Sequence, residues 1–212
     1  MVLDKKVAEQ TVNFLLQINA IKLNTKNPFT WTSGIKSPIY CDNRLILSYP
    51  DVRKFIADSM SEIIKNKYGE NISIAGVATG AIAIGAMIAE KLNLPYAYVR
   101  PKPKSHGLKN QIEGKIQTGS NIVVIEDLIS TGMSSLNAIN ALKSENYKVN
   151  GMLSIFSYNF DFANNKFNDE KILVNSLADY NTLVELIESK GTLKSYEIVR
   201  LKKWREDPKT WI

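Results

Sequence analysis

Two adjacent carboxylates, Glu126 and Asp127, are the residues of this chain best placed to do chemistry. They follow an unbroken apolar run, 122–125, made of isoleucine and valine. Such a run is typical of a central strand in a parallel sheet that is covered on both faces. Because ligands of these sheets bind just beyond the carboxyl ends of the strands, we expect both carboxylates to face a ligand.

The short loop after the two carboxylates predicts which kind of ligand they face. It offers hydroxyl groups and a glycine whose backbone can approach an anion closely, at Ser130, Thr131, Gly132, Ser134 and Ser135. A helix predicted to begin near Ser134 adds unpaired N–H groups and the positive end of its dipole. These groups form a cradle for a phosphate monoester, while the carboxylates can accept hydrogen bonds from sugar hydroxyls. The pattern favours a phosphorylated polyol, although an ordinary turn with a solvated acidic pair would have the same spacing.

A second candidate for chemistry is the basic loop at 100–114. It concentrates positive charge and the single histidine of the chain, at Arg100, Lys102, Lys104, His106 and Lys109. Long loops of this kind often close over a ligand, and two glycines within it allow that movement. A cationic loop that closes on an anionic leaving group would exclude water and stabilise developing negative charge. The alternative is a solvated basic loop, which is the commoner meaning of an isolated run of charges.

Alternating strand and helix patterns must position both sets of residues. Strands are predicted at 72–77, 96–99, 122–126, 149–157 and 171–174. Helices are predicted at about 4–19 and 50–69, and then at 81–92, 134–144, 180–189 and 195–205. This order implies an α/β fold, with a parallel sheet flanked by helices. We therefore expect one domain over 1–212, with an α/β core at about 70–178 and a small N-terminal hood at about 20–45.

Size, charge and cysteine content limit the class of protein. The 212 residues carry a formal net charge of +6 and contain one cysteine, Cys41. The basic residues are scattered apart from two local concentrations, and small molecules that carry several phosphates would need such a cluster as much as nucleic acid would. No stretch reaches the roughly 18 apolar residues of a membrane span, and the N-terminus has no apolar signal core. With a lone cysteine, these features predict a cytoplasmic protein that binds no membrane. We also expect no nucleic-acid partner.

Two segments of the chain resemble a known family. Residues 126–134 resemble the phosphoribosyl-diphosphate motif of type I phosphoribosyltransferases, in which an apolar strand is followed by two acids and a Thr-Gly loop. Residues 100–114 resemble the catalytic loop of the orotate phosphoribosyltransferases, with matching residues at Arg100, Lys104 and His106. The loop departs from the family pattern at Pro101, where a second lysine often stands.

Two further segments carry the same resemblance. Residues 76–81 resemble the family's diphosphate loop, and residues 33–44 resemble its base-binding stretch. Thr32 stands where some members have a lysine that reaches the phosphoribosyl diphosphate. Residues 153–157 lack an arginine that contacts orotate in some members. The resemblance covers about 29–181 and implies a fold like that of the type I phosphoribosyltransferases.

The resemblance also implies an activity, a cofactor and an assembly. The implied reaction transfers a phosphoribosyl group from 5-phosphoribosyl 1-diphosphate to orotate, giving orotidine 5′-phosphate and diphosphate in the synthesis of UMP. Mg²⁺ is the expected cofactor, held by diphosphate, ribose and water oxygens rather than by a protein metal site. The expected assembly is a homodimer in which the basic loop reaches the site of the neighbouring subunit.

Roles for single residues follow from the same resemblance. Catalysis is expected to depend on Lys104, Asp127 and Glu126. Orotate is expected to contact Ser130, Lys36 and Tyr40. The residues expected to bind 5-phosphoribosyl 1-diphosphate are Arg100, Lys104, His106, Glu126, Asp127, Leu128, Ile129, Ser130, Thr131, Gly132, Met133 and Ser134.

Two other functions remain open from the sequence. One is a phosphoribosyltransferase that acts on a different base, which the orotate-like segments at 33–44 and 100–114 argue against. The other is a non-catalytic regulator that senses phosphoribosyl diphosphate and binds nucleic acid, which the net charge of +6 permits. The chain shows no separate helix-turn-helix pattern, and the basic loop retains its catalytic residue types.

Overall fold

The computed structural model describes residues 1–31, 33–103 and 110–211. Within these ranges the strands are β1 Ile21–Leu23, β2 Phe29–Thr30, β3 Lys36–Ser37, β4 Ile39–Cys41, β5 Ser73–Val77, β6 Tyr96–Val99, β7 Ile112–Glu113, β8 Asn121–Ile129, β9 Lys148–Ser157 and β10 Val174–Asp179. The helices are α1 Lys5–Gln17, α2 Pro50–Tyr68, α3 Ile82–Leu92, α4 Met133–Ser144, α5 Asp161–Asp169, α6 Tyr180–Ser189 and α7 Ser195–Glu206, and a 3-10 helix spans Asn43–Ser48.

Six strands form one sheet in the order β10-β9-β8-β5-β6-β7. The first five in this order are parallel, and β7 pairs antiparallel with β6. The direction of winding reverses between β5 and β8, because the chain continues from β5 to β6 on one side and from β8 to β9 on the other. The loops that leave β5 and β8 therefore diverge and open a crevice, which is where ligands bind in sheets of this kind.

Helices cover both faces of the sheet, and β8 shows how the sequence specifies this. Val123 and Ile125 are fully buried in one core cluster, to which α1, α2, α3, α6 and α7 contribute. Ile122 and Val124 are fully buried in a second cluster, to which α4 and α5 contribute. Successive side chains of a strand point to opposite faces, so an apolar run without alternation requires cover on both sides.

A small hood lies over the carboxyl edge of β8. It is built from two antiparallel pairs, β1 with β4 and β2 with β3, followed by the 3-10 helix. The side chain of Asn43 fastens the hood to the sheet, because its Nδ2 donates to the backbone oxygen of Asp127 at 2.6 Å. From the other end of the chain, the indole N–H of Trp204 donates to the backbone oxygen of Lys36 at 2.8 Å.

Most of the predicted elements are confirmed, but four features differ. The strand predicted at 171–174 is wrong, since the strand is β10, Val174–Asp179. The motif strand does not end at Glu126 but continues as β8 to Ile129, so both acids lie within the strand. Helix α5, Asp161–Asp169, was not predicted, and the long basic loop contains the short strand β7.

None of the helices in the described ranges is both long enough and apolar enough to cross a bilayer.

Candidate active site

The crevice between β5 and β8 brings the acidic pair next to the loop after β5. Gly80 of that loop approaches Asp127 so closely that a Cβ atom at Gly80 would overlap the Asp127 carboxylate. Only glycine leaves this space free. The turn at residues 76–81 and the acidic motif, which are about fifty residues apart in sequence, therefore form one site.

Glu126 is the more deeply buried member of the acidic pair, with 4% of its surface exposed. Its carboxylate accepts hydrogen bonds from the Ser135 hydroxyl at 2.8 Å and from the Asp127 N–H at 3.1 Å. Burial raises the pKa of Glu126 well above its usual range, and the neighbouring charge of Asp127 raises it further. The first turn of α4 thus fixes the Glu126 side chain at the floor of the site.

Asp127 is half-buried and faces the crevice beside Gly80. Burial raises the pKa of Asp127, while hydrogen bonding from Glu126 and from strand N–H groups opposes that shift. Two adjacent carboxyl groups in a desolvated site resist full ionisation. A ligand that donates hydroxyl hydrogen bonds or brings positive charge would favour the doubly ionised pair.

The phosphate loop predicted after the acids leads directly into α4. Gly132 has φ of 75° and is the residue before the helix, and in the described part of the chain no side chain caps the first turn. A Cβ atom at Gly132 would lie 3.0 Å from the Phe167 ring, so α5 packs closely against this turn. The free N–H groups and the helix dipole face the same crevice as the acids, which is the environment that a phosphate needs.

A pocket of about 410 Å³ opens between the hood and the end of β8. Its described lining is Thr30, Trp31, Ser33, Tyr40, Cys41, Leu128, Ser130, Thr131 and Tyr158. Two of the three residues predicted to contact orotate, Ser130 and Tyr40, lie in this lining. Lys36 lies just outside it, with its ammonium donating to the Thr30 hydroxyl at 2.8 Å. The pocket therefore has aromatic walls, several hydroxyl groups and a lysine near its edge.

The base of the basic loop is closed by a hairpin. The backbone N–H of Arg100 donates to the oxygen of Gln111 at 2.8 Å, and the Gln111 amide donates to the oxygen of Arg100 at 2.9 Å. The Arg100 guanidinium forms an ion pair with Glu113 at 3.2 Å. Lys104 and His106, the other two residues matched to the family's catalytic loop, lie outside the described residues.

Among residues 1–31, 33–103 and 110–211, no group of three or more histidine, cysteine, aspartate or glutamate side chains could hold a metal ion. Glu126 and Asp127 offer carboxylate oxygens, which hard cations such as Mg²⁺ prefer. Two adjacent carboxylates are too few for a complete shell. An ion here would take its remaining ligands from substrate and water.

Several residues of the site were not singled out from the sequence. Asn43, Gly80 and Trp31 contact or line the site, and Ser135, noted only as a loop hydroxyl, fixes Glu126. Tyr158 follows directly after β9 and lines the pocket. The segment at 33–44 could have pointed to Asn43, because that segment was already assigned to the site. Tyr158 gave no such signal, since an aromatic residue after an apolar strand usually belongs to the core.

Comparisons with known proteins agree with this arrangement. The family model described as phosphoribosyl transferase domain matches residues 46–159. The orotate phosphoribosyltransferase of Phocaeicola vulgatus is 47% identical over 209 residues, which cover 99% of this chain and 97% of that protein. The similarity thus extends from the acidic motif to the hood and the C-terminal helices.

Solved structures give the same result for the fold. The orotate phosphoribosyltransferase of Aeropyrum pernix matches with a TM-score of 0.74 and 28% identity, over 86% of this chain and 99% of that one. The UMP synthase of Leishmania donovani matches with a TM-score of 0.78 over 95% of this chain, which spans 42% of that longer protein. At 24% identity, this second match supports the fold alone.

Proposed function

The chain belongs to the orotate phosphoribosyltransferase family, and from this membership we propose how its residues bind the substrates and support the reaction. The enzyme is a pentosyltransferase that moves the phosphoribosyl group of 5-phosphoribosyl 1-diphosphate to orotate. The bond between the anomeric carbon and a diphosphate oxygen breaks, and a bond from that carbon to a ring nitrogen of orotate forms as that nitrogen releases its proton. The products are orotidine 5′-phosphate and diphosphate.

The proposal rests chiefly on the crevice where Glu126 and Asp127 lie beside the uncapped start of α4. In this proposal the two carboxylates accept hydrogen bonds from the ribose hydroxyls. Hydroxyl donors favour the ionised pair, whose negative charge then stabilises the positive charge that develops on the ribose ring. The buried hydrogen bond from Ser135 supports this role, because it fixes Glu126 before the substrate arrives.

The 5′-phosphate is assigned to the loop between β8 and α4. Its N–H groups and hydroxyls would bind the phosphate, and the last residues of β8, Leu128 and Ile129, would position the loop. The residues of this part of the proposal are Leu128, Ile129, Ser130, Thr131, Gly132, Met133 and Ser134. With the phosphate held here and the ribose held by the acids, the anomeric carbon would face the pocket under the hood.

The diphosphate is assigned to the loop after β5 and to the basic loop. Arg100 pairs with Glu113 through Nη1, and its guanidinium would also supply positive charge to the diphosphate. Because the loop resembles the family's catalytic loop, we assign Lys104 and His106 to the diphosphate as well. Positive charge placed there would stabilise the leaving group as its bond breaks.

Orotate is assigned to the pocket between the hood and β8, with Tyr40 and Ser130 in its wall and Lys36 near its edge. Mg²⁺ would bind to diphosphate and ribose oxygens, close to the acidic pair, and would neutralise charge on the leaving group. We also propose that the chain folds as one domain over 1–212 and forms a homodimer with shared sites. Its proposed location is the cytoplasm. The buried thiol of Cys41 is consistent with a reducing compartment.

Binding of 5-phosphoribosyl 1-diphosphate, measured by calorimetry with and without Mg²⁺, tests the assigned roles. We expect Mg²⁺-dependent binding by the unaltered protein and a loss of at least about tenfold in affinity for Asp127→Asn, since a carboxylate acceptor becomes a weaker amide. Asp169→Asn, on the exposed surface of α5, is the matched control and should bind normally. Equal affinity of the Asp127→Asn variant would overturn the assignment of the ribose to this pair.

A further inference from the structure

The hydroxyl of Tyr158 is an unused hydrogen-bonding group in the pocket under the hood. Tyr158 is 1% exposed and lines the pocket. Within 1–31, 33–103 and 110–211, its hydroxyl has no hydrogen-bond partner. The hydroxyl oxygen keeps some contact with solvent. A ligand that displaced water from this pocket without pairing with the hydroxyl would leave it buried and unsatisfied, which costs free energy.

The ring of Tyr158 is held in one position by aromatic neighbours. It lies 4.8 Å from the Trp31 ring, 5.6 Å from Phe160 and 5.7 Å from Trp204, measured between centroids. Neighbours on several sides leave the ring little freedom to turn away from the pocket. The hydroxyl is therefore preorganised, which lowers the entropic cost of pairing with a ligand.

The described lining of the pocket is uncharged, so a hydrogen bond to an anion bound there must come from a neutral donor such as the Tyr158 hydroxyl. None of its described lining residues is charged, and Lys36 reaches only the Thr30 hydroxyl at the edge. Burial raises the pKa of Tyr158 well above its usual range, with Cys41 and Tyr40 among the neighbouring groups that contribute. The phenol therefore keeps its proton at neutral pH and can donate a hydrogen bond to an anion.

We propose that Tyr158 is a specificity-determining residue, whose hydroxyl donates a hydrogen bond to the carboxylate of orotate. This inference rests on the proposed placement of orotate in the pocket. A hydrogen bond to a charged acceptor in a desolvated pocket is stronger than one between neutral groups. A pyrimidine without the carboxylate would leave the hydroxyl unpaired, and sites built around such a bond reject analogues that lack it.

Orotidine 5′-phosphate and uridine 5′-monophosphate provide the test, because they differ only by the carboxylate. Their dissociation constants would be measured by calorimetry for the unaltered protein and for Tyr158→Phe, which keeps the packed ring. The variant should bind orotidine 5′-phosphate about tenfold more weakly and uridine 5′-monophosphate within about twofold of the unaltered protein. The matched control is Tyr147→Phe, which removes a hydroxyl that donates to the backbone oxygen of Ile116 away from the pocket. This variant should change neither constant.

The possible outcomes separate this inference from the function on which it rests. Equal weakening of both nucleotides in Tyr158→Phe would indicate a structural role and overturn the inference. Unchanged binding of both would overturn it as well. If the unaltered protein did not prefer orotidine 5′-phosphate to uridine 5′-monophosphate, the placement of orotate in this pocket would fail instead.

Discussion

At the scale of single residues, Glu126 is where stability and function conflict most clearly. Its carboxyl group is buried beside a second carboxyl group, and its pKa is raised chiefly by burial. A raised pKa in the folded state means that ionisation costs folding free energy. This cost is absent below the ordinary pKa of 4.5, grows as the pH rises above it, and is complete above the raised pKa of the folded protein.

Glu126→Gln should therefore stabilise the free protein at neutral pH. The amide has the same shape and carries no charge, so we expect the midpoint of thermal unfolding to rise by about 2–4 °C at pH 7.5, for roughly 1 kcal/mol. The difference should vanish near pH 4, while kcat at pH 7.5 should fall at least about tenfold. Thermal melts between pH 4 and pH 8 measure this, with exposed Glu62→Gln as the control. A variant less stable than the parent at pH 7.5 would contradict the prediction.

A second prediction at the residue scale concerns Gly80. In Gly80→Ala the new methyl group must displace the Asp127 carboxylate, so we expect the KM for 5-phosphoribosyl 1-diphosphate to rise at least about tenfold. Gly85→Ala is the matched control, because its Cβ atom would press on the Tyr96 ring at 2.9 Å, away from the acidic pair. Both variants should lose stability, but only Gly80→Ala should lose affinity. Normal steady-state kinetics of Gly80→Ala would show that Asp127 does not need this space.

The acidic motif was predictable from local patterns, whereas the segments that contain Asn43 and Gly80 were assigned to the site only by the family resemblance, and Tyr158 was not assigned to it. Glu126 and Asp127 follow an apolar run and precede a glycine loop, and both signals are local. Asn43, Gly80 and Tyr158 reach the site only because the hood, β5 and β9 meet there. Their contribution depends on contacts between distant segments, which local patterns do not encode.

At the scale of secondary-structure elements, α7 supports the hood. Trp204 of this helix is fully buried, and its indole N–H donates to the backbone oxygen of Lys36 in β3. Near the start of the same helix, Glu197 accepts a hydrogen bond from the Thr25 hydroxyl at 2.8 Å. The C-terminal helix therefore holds two points of the segment that forms the hood over this pocket.

Trp204→Phe tests this support. The smaller ring keeps an apolar side chain but loses the bond to Lys36, so we expect a stability loss of about 1–3 kcal/mol and a several-fold rise in the KM for orotate. Leu201→Ala, fully buried on the same helix, should lose comparable stability without a change in the KM for orotate. Urea unfolding and steady-state kinetics would measure both. Equal rises in KM for the two variants would indicate general loosening rather than support of the hood.

The errors in the predicted elements have physical causes. The true strand β10 carries Asn175, Ser176 and Asp179 in buried positions, so its sequence looks polar. The Ser176 hydroxyl is paired with that of Ser154 on β9 at 2.7 Å, a contact that only the folded sheet provides. The apolar residues just before β10 gave the stronger local signal. Helix α5 is rich in asparagine, and its buried Ala163 and Phe167 did not form a clear helical pattern.

At the scale of the whole molecule, the strand order creates the site. The alternation of strands and helices predicted a parallel sheet, but many strand orders share that alternation. The observed order places the reversal of winding between β5 and β8, so the loop after β5 and the acidic motif open into one crevice. Long-range packing determines this order, and local sequence patterns therefore could not predict it.

The proposed homodimer with shared sites makes a prediction at this scale. Lys104→Ala should lower kcat far more than it lowers stability, because a single loop charge contributes little to folding. If the basic loop serves the neighbouring subunit, mixing Lys104→Ala with Asp127→Asn produces hybrid dimers with one intact site. Random exchange in a symmetric dimer should then restore about a quarter of the normal activity. Mixing Lys104→Ala with the double variant is the control and should restore none, and an inactive first mixture would argue against shared sites.

The most direct test of the proposed function is consumption of orotate, followed by ultraviolet absorbance, with 5-phosphoribosyl 1-diphosphate and Mg²⁺. Parallel reactions would contain uracil, hypoxanthine or adenine in place of orotate. We expect turnover of orotate alone, and loss of that turnover in Asp127→Asn. Turnover of another base in place of orotate, or full activity of the Asp127→Asn variant, would contradict it.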